Sequence, residues 1–490
     1  MMNSQALSRW LLPVLLTVQF LVSLDISVVN VALPDIDSGL HFDPGSLAWV
    51  VNAYALTFGG LLLLGGRLAD VAGRRRLLVA GFVVFGVASL FGGLAQTPGQ
   101  LIAARAAQGV GAAALAPVAL ALITVNYAEG TARSRALGLW GAAGAAGAAV
   151  GVLAGGLLTD WAGWRSVMLV NVPVVAAALA VVRPAVPADD RPGDGPRPRL
   201  DLVGALLATA GTALLVLGLV RTESYGWTSW PTAAALGAAA VLLAAFTVTE
   251  TRVRQPLLRL GLLRSGPVLA ANVFALLMSA GQFAAFYFTS LYTQQVLGYG
   301  PTAAGSAFLP FCVGVVAGSV IATRAVGRVG PGALLVAGGL LGAAGFAWFA
   351  AAVAVDGGFL LTVLGPSVVA SVGTGLCFVP LGTAATTGVP AAETGMAAGL
   401  LNSSRQVGGA VGLAVLVTVA AQAGGPGVRG LVDGFSAAYW VSAGLLAVAA
   451  GAAGLLYGKR ALPAETPAGE KTSKKSGARV ESGVSRSTQG

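Results

Sequence analysis

Runs of about twenty apolar residues recur along the whole chain, separated by short stretches carrying charge, proline or clustered glycine. Crossing roughly 30 Å of hydrocarbon at 1.5 Å per residue takes about 20 helical residues. Fourteen runs meet that length, at about 10–33, 47–66, 77–95, 100–124, 135–158, 166–183, 201–220, 232–249, 268–291, 303–323, 333–352, 357–380, 397–420 and 436–457. Lipid offers no partner to a bare amide, so each run has to close its hydrogen bonds internally, as a helix. The pattern predicts an all-α membrane protein with 14 transmembrane helices.

Composition removes the alternatives. The 490 residues are 56% hydrophobic and 10% charged, with a mean hydropathy of +0.81. Soluble domains carry about 25% charged residues, and disordered chains need the opposite balance. Two cysteines, Cys312 and Cys377, lie inside apolar runs and exclude a disulfide framework. His41 is the single histidine, so no metal centre is expected, and no cofactor. A net charge of +10 would suit nucleic acid on a basic soluble face. Here the charges sit between apolar runs, which makes the lipid bilayer the partner and excludes nucleic acid. The N-terminal stretch resembles a signal peptide but lacks a cleavage pattern and continues past Asp25 to Leu33. It reads as a retained first span.

An even number of spans puts both termini on one side. Twenty-four basic residues fall on that side and three, Arg165, Arg221 and Arg429, on the other. The asymmetry predicts cytoplasmic termini in the cell membrane. Trp161, Trp164, Trp227 and Trp230 fall in the outer loops, as interfacial aromatics do. Arginine outnumbers lysine and glycine reaches 70, as a high-GC bacterial genome would produce. The tail over 458–490 is basic, Ser-rich and expected to be disordered.

The chain also repeats itself. RLADVAGRRRLLVAG (67–81) aligns with RAVGRVGPGALLVAG (324–338), and GAAVG (147–151) with GGAVG (408–412), at nearly the same offset. Two six-helix bundles follow, over 1–183 and 267–457, with linkers and an inserted helix pair in 184–266. Such repeats are a transporter architecture, with the site between the halves.

Asp25, Arg105 and Arg405 are the ionisable residues well inside spans. A charge at the bilayer centre costs about 2.5–3.5 kcal/mol on insertion scales, so each implies a paired or wet environment. Asp25 and Arg105 lie at comparable depth and are expected to pair. Burial favours the neutral carboxyl and a nearby guanidinium the ionised one, so a pair that opens and closes exchanges a proton. In GRLADVAGRRRLL (66–78), Asp70 closes one helix and Arg74, Arg75 and Arg76 open the next; a carboxylate beside Arg can latch helices. Gly66 and Gly73 permit the tight turn. Gly147, Gly151 and Gly155 have small-xxx-small spacing, which lets a neighbouring helix pack close.

LDISVVNVALP (24–34), the 66–78 loop, LIAARAAQGVGAA (101–113), GAAVGVLAGG (147–156), NVP (171–173), YFTSLYTQQVLGYGPTAAGSAFLP (287–310) and GLLNSSRQVGGAVG (399–412) together resemble the major facilitator superfamily. The nearest pattern is its fourteen-helix drug:proton antiporter family. The resemblance implies proton coupling at Asp25 and Arg105, and a cytoplasmic gate at Gly66, Asp70, Gly73, Arg74 and Arg75. It also implies a helix-5 hinge at Gly147, Gly151 and Gly155. The Gly-Pro usual in that hinge is Gly151-Val152 here. Protons and a drug-like or antibiotic small molecule would be the partners of a monomer; the absence of a second carboxylate deep in a span departs from members that handle dications and points to a neutral, monocationic or anionic substrate. Asn30, Asn52, Tyr54, Gln282, Tyr287 and Gln294 are substrate-cavity candidates by position.

Export of an endogenous metabolite, such as an amino acid or a siderophore, is the alternative. A membrane-embedded enzyme does not fit, because no span holds a His, no two carboxylates sit together and no nucleotide motif occurs. The basic asymmetry makes one direct prediction. Cysteines introduced at Ser265 and Ser476 should react with an impermeant maleimide only from the cytoplasm, and those at Ser229 and Gly427 only from outside; labelling of position 229 that needs permeabilised cells would contradict the fourteen-span count.

Overall fold

The computed structural model describes residues 9–43, 46–127, 131–186, 201–226, 228–253, 256, 259–389 and 394–458. The predicted tail beyond 458 lies outside them. The helices are α1 (Leu11–Leu40), α2 (Trp49–Ala72), α3 (Arg74–Gly93), α4 (Pro98–Asn126), α5 (Thr131–Ala162), α6 (Arg165–Leu169), α7 (Asn171–Ala185) and α8 (Leu202–Tyr225). They continue as α9 (Trp230–Arg252), α10 (Gly266–Leu291), α11 (Pro301–Ala307), α12 (Leu309–Val329), α13 (Pro331–Ala352), α14 (Gly365–Thr386), α15 (Thr394–Ala423) and α16 (Gly427–Gly458). Among the described residues there is no strand. Thirteen segments are long and apolar enough to cross a membrane, and Trp49–Leu62 within α2 is a shorter apolar stretch.

Several spans are broken where a continuous helix is expected. Val170 interrupts the sixth span between α6 and α7, and Phe308 separates α11 from α12 just before Pro310. One π-helical turn, Tyr292–Val296, extends α10, and another, Leu360–Leu364, precedes α14. Trp164 is buried against α1 near Gly39, whereas Trp161 and Trp230 are exposed. It is therefore not a loop-surface aromatic.

The internal repeat has a conformational counterpart. α2 ends and α3 begins at Gly73, with φ 94°; α12 ends and α13 begins at Gly330, with φ 81°. Positive φ is where glycine alone is unstrained, and these are the paired positions of the 67–81 and 324–338 segments. Packing repeats as well: α1 lies on α5, α2 on α4, and α3 on α4 and α7. In the later helices α10 lies on α15, α12 on α14, and α13 on α14 and α16.

Close glycine contacts set the first of these pairs. A Cβ on Gly151 would lie 2.8 Å from the Leu24 carbonyl oxygen, and one on Gly155 2.8 Å from that of Val28; one on Gly147 would collide with the Phe20 carbonyl. The spacing of four on α5 thus matches a spacing of four on α1. Gly408 and Gly412 on α15 stand in the same relation to Leu276 and Ala280 of α10. Without a hydrophobic drive between lipid-facing helices, such close backbone approach is what holds them.

The two groups of helices meet along α2 and α15, α5 and α11, and α1 and α10, while α8 lies against both α2 and α15 and carries α9 on its other side. Ser290 Oγ donates to the Asn30 carbonyl at 2.7 Å and Gln294 Nε2 to the Val31 carbonyl at 2.9 Å. Asp160 accepts from the Thr302 amide at 3.0 Å. A Cβ on Gly305 would strike the Val152 carbonyl. On α1 and α5 these ties lie in the C-terminal part of each helix, from Asn30 onward and from Val152 onward.

Gly151→Leu should lower the thermal stability of the purified protein, overpacking of this kind costing about 1–3 kcal/mol. Gly141→Ala, with nothing within 4 Å of the new Cβ, should leave it unchanged or slightly raise it. Equal effects of the two substitutions in a thermal-unfolding assay would remove the close-packing role of Gly151.

Candidate functional site

Asp25 sits mid-way along α1, fully buried. Arg105 sits on α4, and its side chain crosses to α1. Arg105 Nη1 donates to Asp25 Oδ2 at 2.5 Å, as an ion pair with both partners buried. Arg105 Nη1 also lies 2.9 Å from Gln108 Oε1, and Arg105 Nε donates to the Val50 carbonyl at 2.9 Å. Its guanidinium carbon stands 4.6 Å from the centre of the Tyr54 ring, a cation–π contact.

The second carboxylate oxygen is equally occupied. Asp25 Oδ1 accepts from Asn171 Nδ2 at 2.7 Å and from Gln108 Nε2 at 3.1 Å. Gln108 Nε2 also reaches Ser89 Oγ at 2.7 Å. Residues of α1, α2, α3, α4 and α7 thus converge on one charge pair. Isolated burial of either ion would cost several kcal/mol; the pair with its donors satisfied is how both are held.

Three members of this centre escape a reading of the sequence. Gln108 has a usable signal, because it stands three residues after Arg105 and so on the same helical face. Asn171 has a weaker one, as the polar residue that opens the NVP segment (171–173) inside an apolar run. Ser89 has none; a serine in an apolar helix is most often bonded to its own backbone.

The remaining candidates lie in different places. Tyr54 is buried beneath Arg105, and its hydroxyl has no hydrogen-bond partner. Asn52 is fully buried with both side-chain polar atoms unpartnered. Asn30 Nδ2 donates to the Ile26 carbonyl at 2.7 Å within α1. Gln282 is partly exposed on α10. Tyr287, buried, lines a cavity of about 280 Å³ between α10, α15 and α16. Gln294 ties the π-helical turn to α1. Only Tyr54 is in contact with the charge pair.

Gly73, Arg74 and Arg75 stand at the α2–α3 junction. Gly66 lies on α2 opposite Pro117 of α4. Asp70 falls in the last turn of α2, and its side chain is outside the described residues. Gly147, Gly151 and Gly155 form the α5 face against α1.

The expectation that no two carboxylates sit together is corrected. Asp201, at the start of α8, and Glu250, near the end of α9, are both buried, and a Cβ on Gly204 would lie 2.7 Å from an oxygen of each. Antiparallel packing of α8 and α9 brings together residues 49 positions apart. Asp201 Oδ1 caps α8 by accepting from the Gly204 amide at 2.7 Å.

Comparison with known proteins agrees with this architecture. Residues 15–413 match the model of the Major Facilitator Superfamily. The cephamycin export protein CmcT of Amycolatopsis lactamdurans is 44% identical over 405 residues, covering 82% of this chain and 83% of the relative. The puromycin resistance protein pur8 of Streptomyces alboniger is 43% identical over 412 residues, 84% and 81% of the two chains. The crystal structure of a POT family transporter in complex with a thioalcohol-conjugated peptide superposes with a TM-score of 0.68, over 90% of this chain and 94% of that one. At 14% identity it bears on the fold alone. With the family model spanning most of its length and the helices packed in a repeated pattern, this chain belongs to the major facilitator superfamily.

Proposed function

We propose that the chain is a proton-coupled antiporter that exports drug-like or antibiotic small molecules across the cytoplasmic membrane by alternating access. The functions of the relatives, cephamycin export and puromycin resistance, support the substrate class. The observation that carries the coupling is the sealed Asp25–Arg105 pair with its donors from Gln108 and Asn171.

The reading has 14 crossings with both termini in the cytoplasm. Six-helix bundles span 1–183 and 267–457, and α8 and α9 are an inserted pair within 184–266. It works as a monomer without a cofactor, driven by the proton gradient. On this topology the ties at Asn30, Val31, Asp160 and Thr302 close the outer face. The paired carboxylate is then the state in which the proton has left toward the cytoplasm. Opening outward separates Asp25 from Arg105, and the freed carboxylate takes a proton from outside. Gly66, Asp70, Gly73, Arg74 and Arg75 form the cytoplasmic gate that closes in that second state, and Gly147, Gly151 and Gly155 are where α5 pivots on α1.

Asp25→Asn keeps the volume and hydrogen-bonding capacity of the side chain but cannot titrate. In proteoliposomes with an imposed pH difference and puromycin as the probe, wild type should accumulate the drug uphill and Asp25→Asn should not, while still inserting and folding. Asn171→Ala, which removes one donor, should slow uphill transport by about tenfold and retain it, a lost hydrogen bond to a charged group being of that size. Uphill transport by Asp25→Asn at the wild-type rate would place the coupling site elsewhere.

A further inference from the structure

Arg405 is the cation deep in a span that the coupling centre does not use. It lies on α15, eleven residues into a 30-residue helix, and its Nε is buried without a hydrogen-bond partner. Its guanidinium carbon stands 4.8 Å from the centre of the Phe378 ring on α14. Among the described residues it makes no ion pair, in contrast to Arg105. A guanidinium is always charged, and a buried cation without an acceptor is costly.

The helix shows which way it faces. Ser403 Oγ donates to the Gly59 carbonyl of α2 at 2.8 Å, and Gln406 packs on the same glycine. Ser404 Oγ reaches Asn272 Oδ1 of α10 at 2.9 Å, and Gly408 and Gly412 lie on α10. Thr418 bonds the Leu219 carbonyl of α8. At about 100° per residue, position 405 falls on the arc between α10 and α2, away from α8. That arc is the junction of the two groups of helices. Asn402, one turn earlier on it, is exposed, and Arg405 itself is partly accessible. The next residue, Gln406, has an unpartnered buried Nε2. Two donors from consecutive residues, one of them cationic, therefore have no acceptor from the protein.

We propose that Arg405 is an anion-binding group at this junction, and that those exported compounds which carry a carboxylate pair it with Arg405 while Phe378 takes an adjoining apolar part. The proposal rests on reading the chain as an exporter. Guanidinium–carboxylate recognition is bidentate and strong where water is scarce, which suits this position. The coupling carboxylate lies in the other bundle, so substrate and proton have separate partners.

The test uses lipophilic aryl carboxylates, each with its uncharged methyl ester, against purified protein in phosphatidylcholine nanodiscs, and in parallel as efflux substrates in an efflux-deficient host. Wild type should be thermally stabilised by the acids more than by the esters. Arg405→Gln should weaken acid binding about tenfold or more and leave ester binding unchanged, and Arg405→Lys should restore most of it. Retained ester binding shows that the Gln variant is folded. Equal binding of acid and ester by wild type, or wild-type acid binding by Arg405→Gln, would overturn the proposal. So would an Arg405-dependent stabilisation by phosphatidylglycerol with none by the acids, which would assign the site to a lipid headgroup. Arg405-dependent acid binding with no energy-dependent efflux of any member would leave the anion site standing and count against the exporter reading instead.

Discussion

The Asp25–Arg105 pair is the interaction on which the arrangement of the first bundle depends. Neither charge could be buried alone, because the effective desolvation cost of each is several kcal/mol. Together at 2.5 Å they still leave oxygens and N–H groups that need partners. The Val50 carbonyl, Gln108 and Asn171 supply these, and Ser89 in turn bonds Gln108. Five helices are therefore fixed relative to one another by a single charge pair. Removing one partner would strand the other, at about 3–5 kcal/mol. Internal rearrangement of this bundle is correspondingly costly while the pair is intact.

The frame around that pair occurs twice, the charge once. Gly147 and Gly151 sit over Phe20 and Leu24, and Gly408 and Gly412 over Leu276 and Ala280. In that register Asp25 corresponds to Gly281, where a Cβ would meet Ser442 at 3.3 Å and no charge is present. Glycine contacts set the helix spacing in both bundles, while the polar groups differ between them. Architecture and chemistry are thus specified by different residues, which is why the repeat is visible in the glycines and not in the ionisable side chains.

Sequence conveys this unevenly. Span positions are legible because lipid forces each apolar run to be helical. The pairing of Asp25 with Arg105 is legible because a lone charge in a span demands a partner and depth counting leaves one. The breaks at Val170 and Phe308 are less so: a proline follows each, Pro173 and Pro310, but both runs are long enough to read as single helices. Asp201 and Glu250 are separated by two helices, and each stands next to a charged linker that makes it look solvated. Antiparallel packing, not local pattern, buries them. Ser89, Gln108 and Asn171 read as ordinary polar residues until the charge they serve is located in space.

The contacts between the bundles are of another kind from those within them. They include neutral hydrogen bonds from Ser290 and Gln294 to backbone carbonyls, and Asp160 on Thr302. Neutral bonds contribute about 0.5–1.5 kcal/mol each and those to a charged group about 1.5–3, so the closure amounts to a few kcal/mol. Two conformations separated by that much are both accessible. Moving one elementary charge through 100 mV yields about 2.3 kcal/mol, the same order as these ties. On the proposed coupling reading, one proton exchanged at Asp25 therefore carries energy of the order needed to shift that balance, and the parting of Asp25 from Arg105 is the step it would have to accompany.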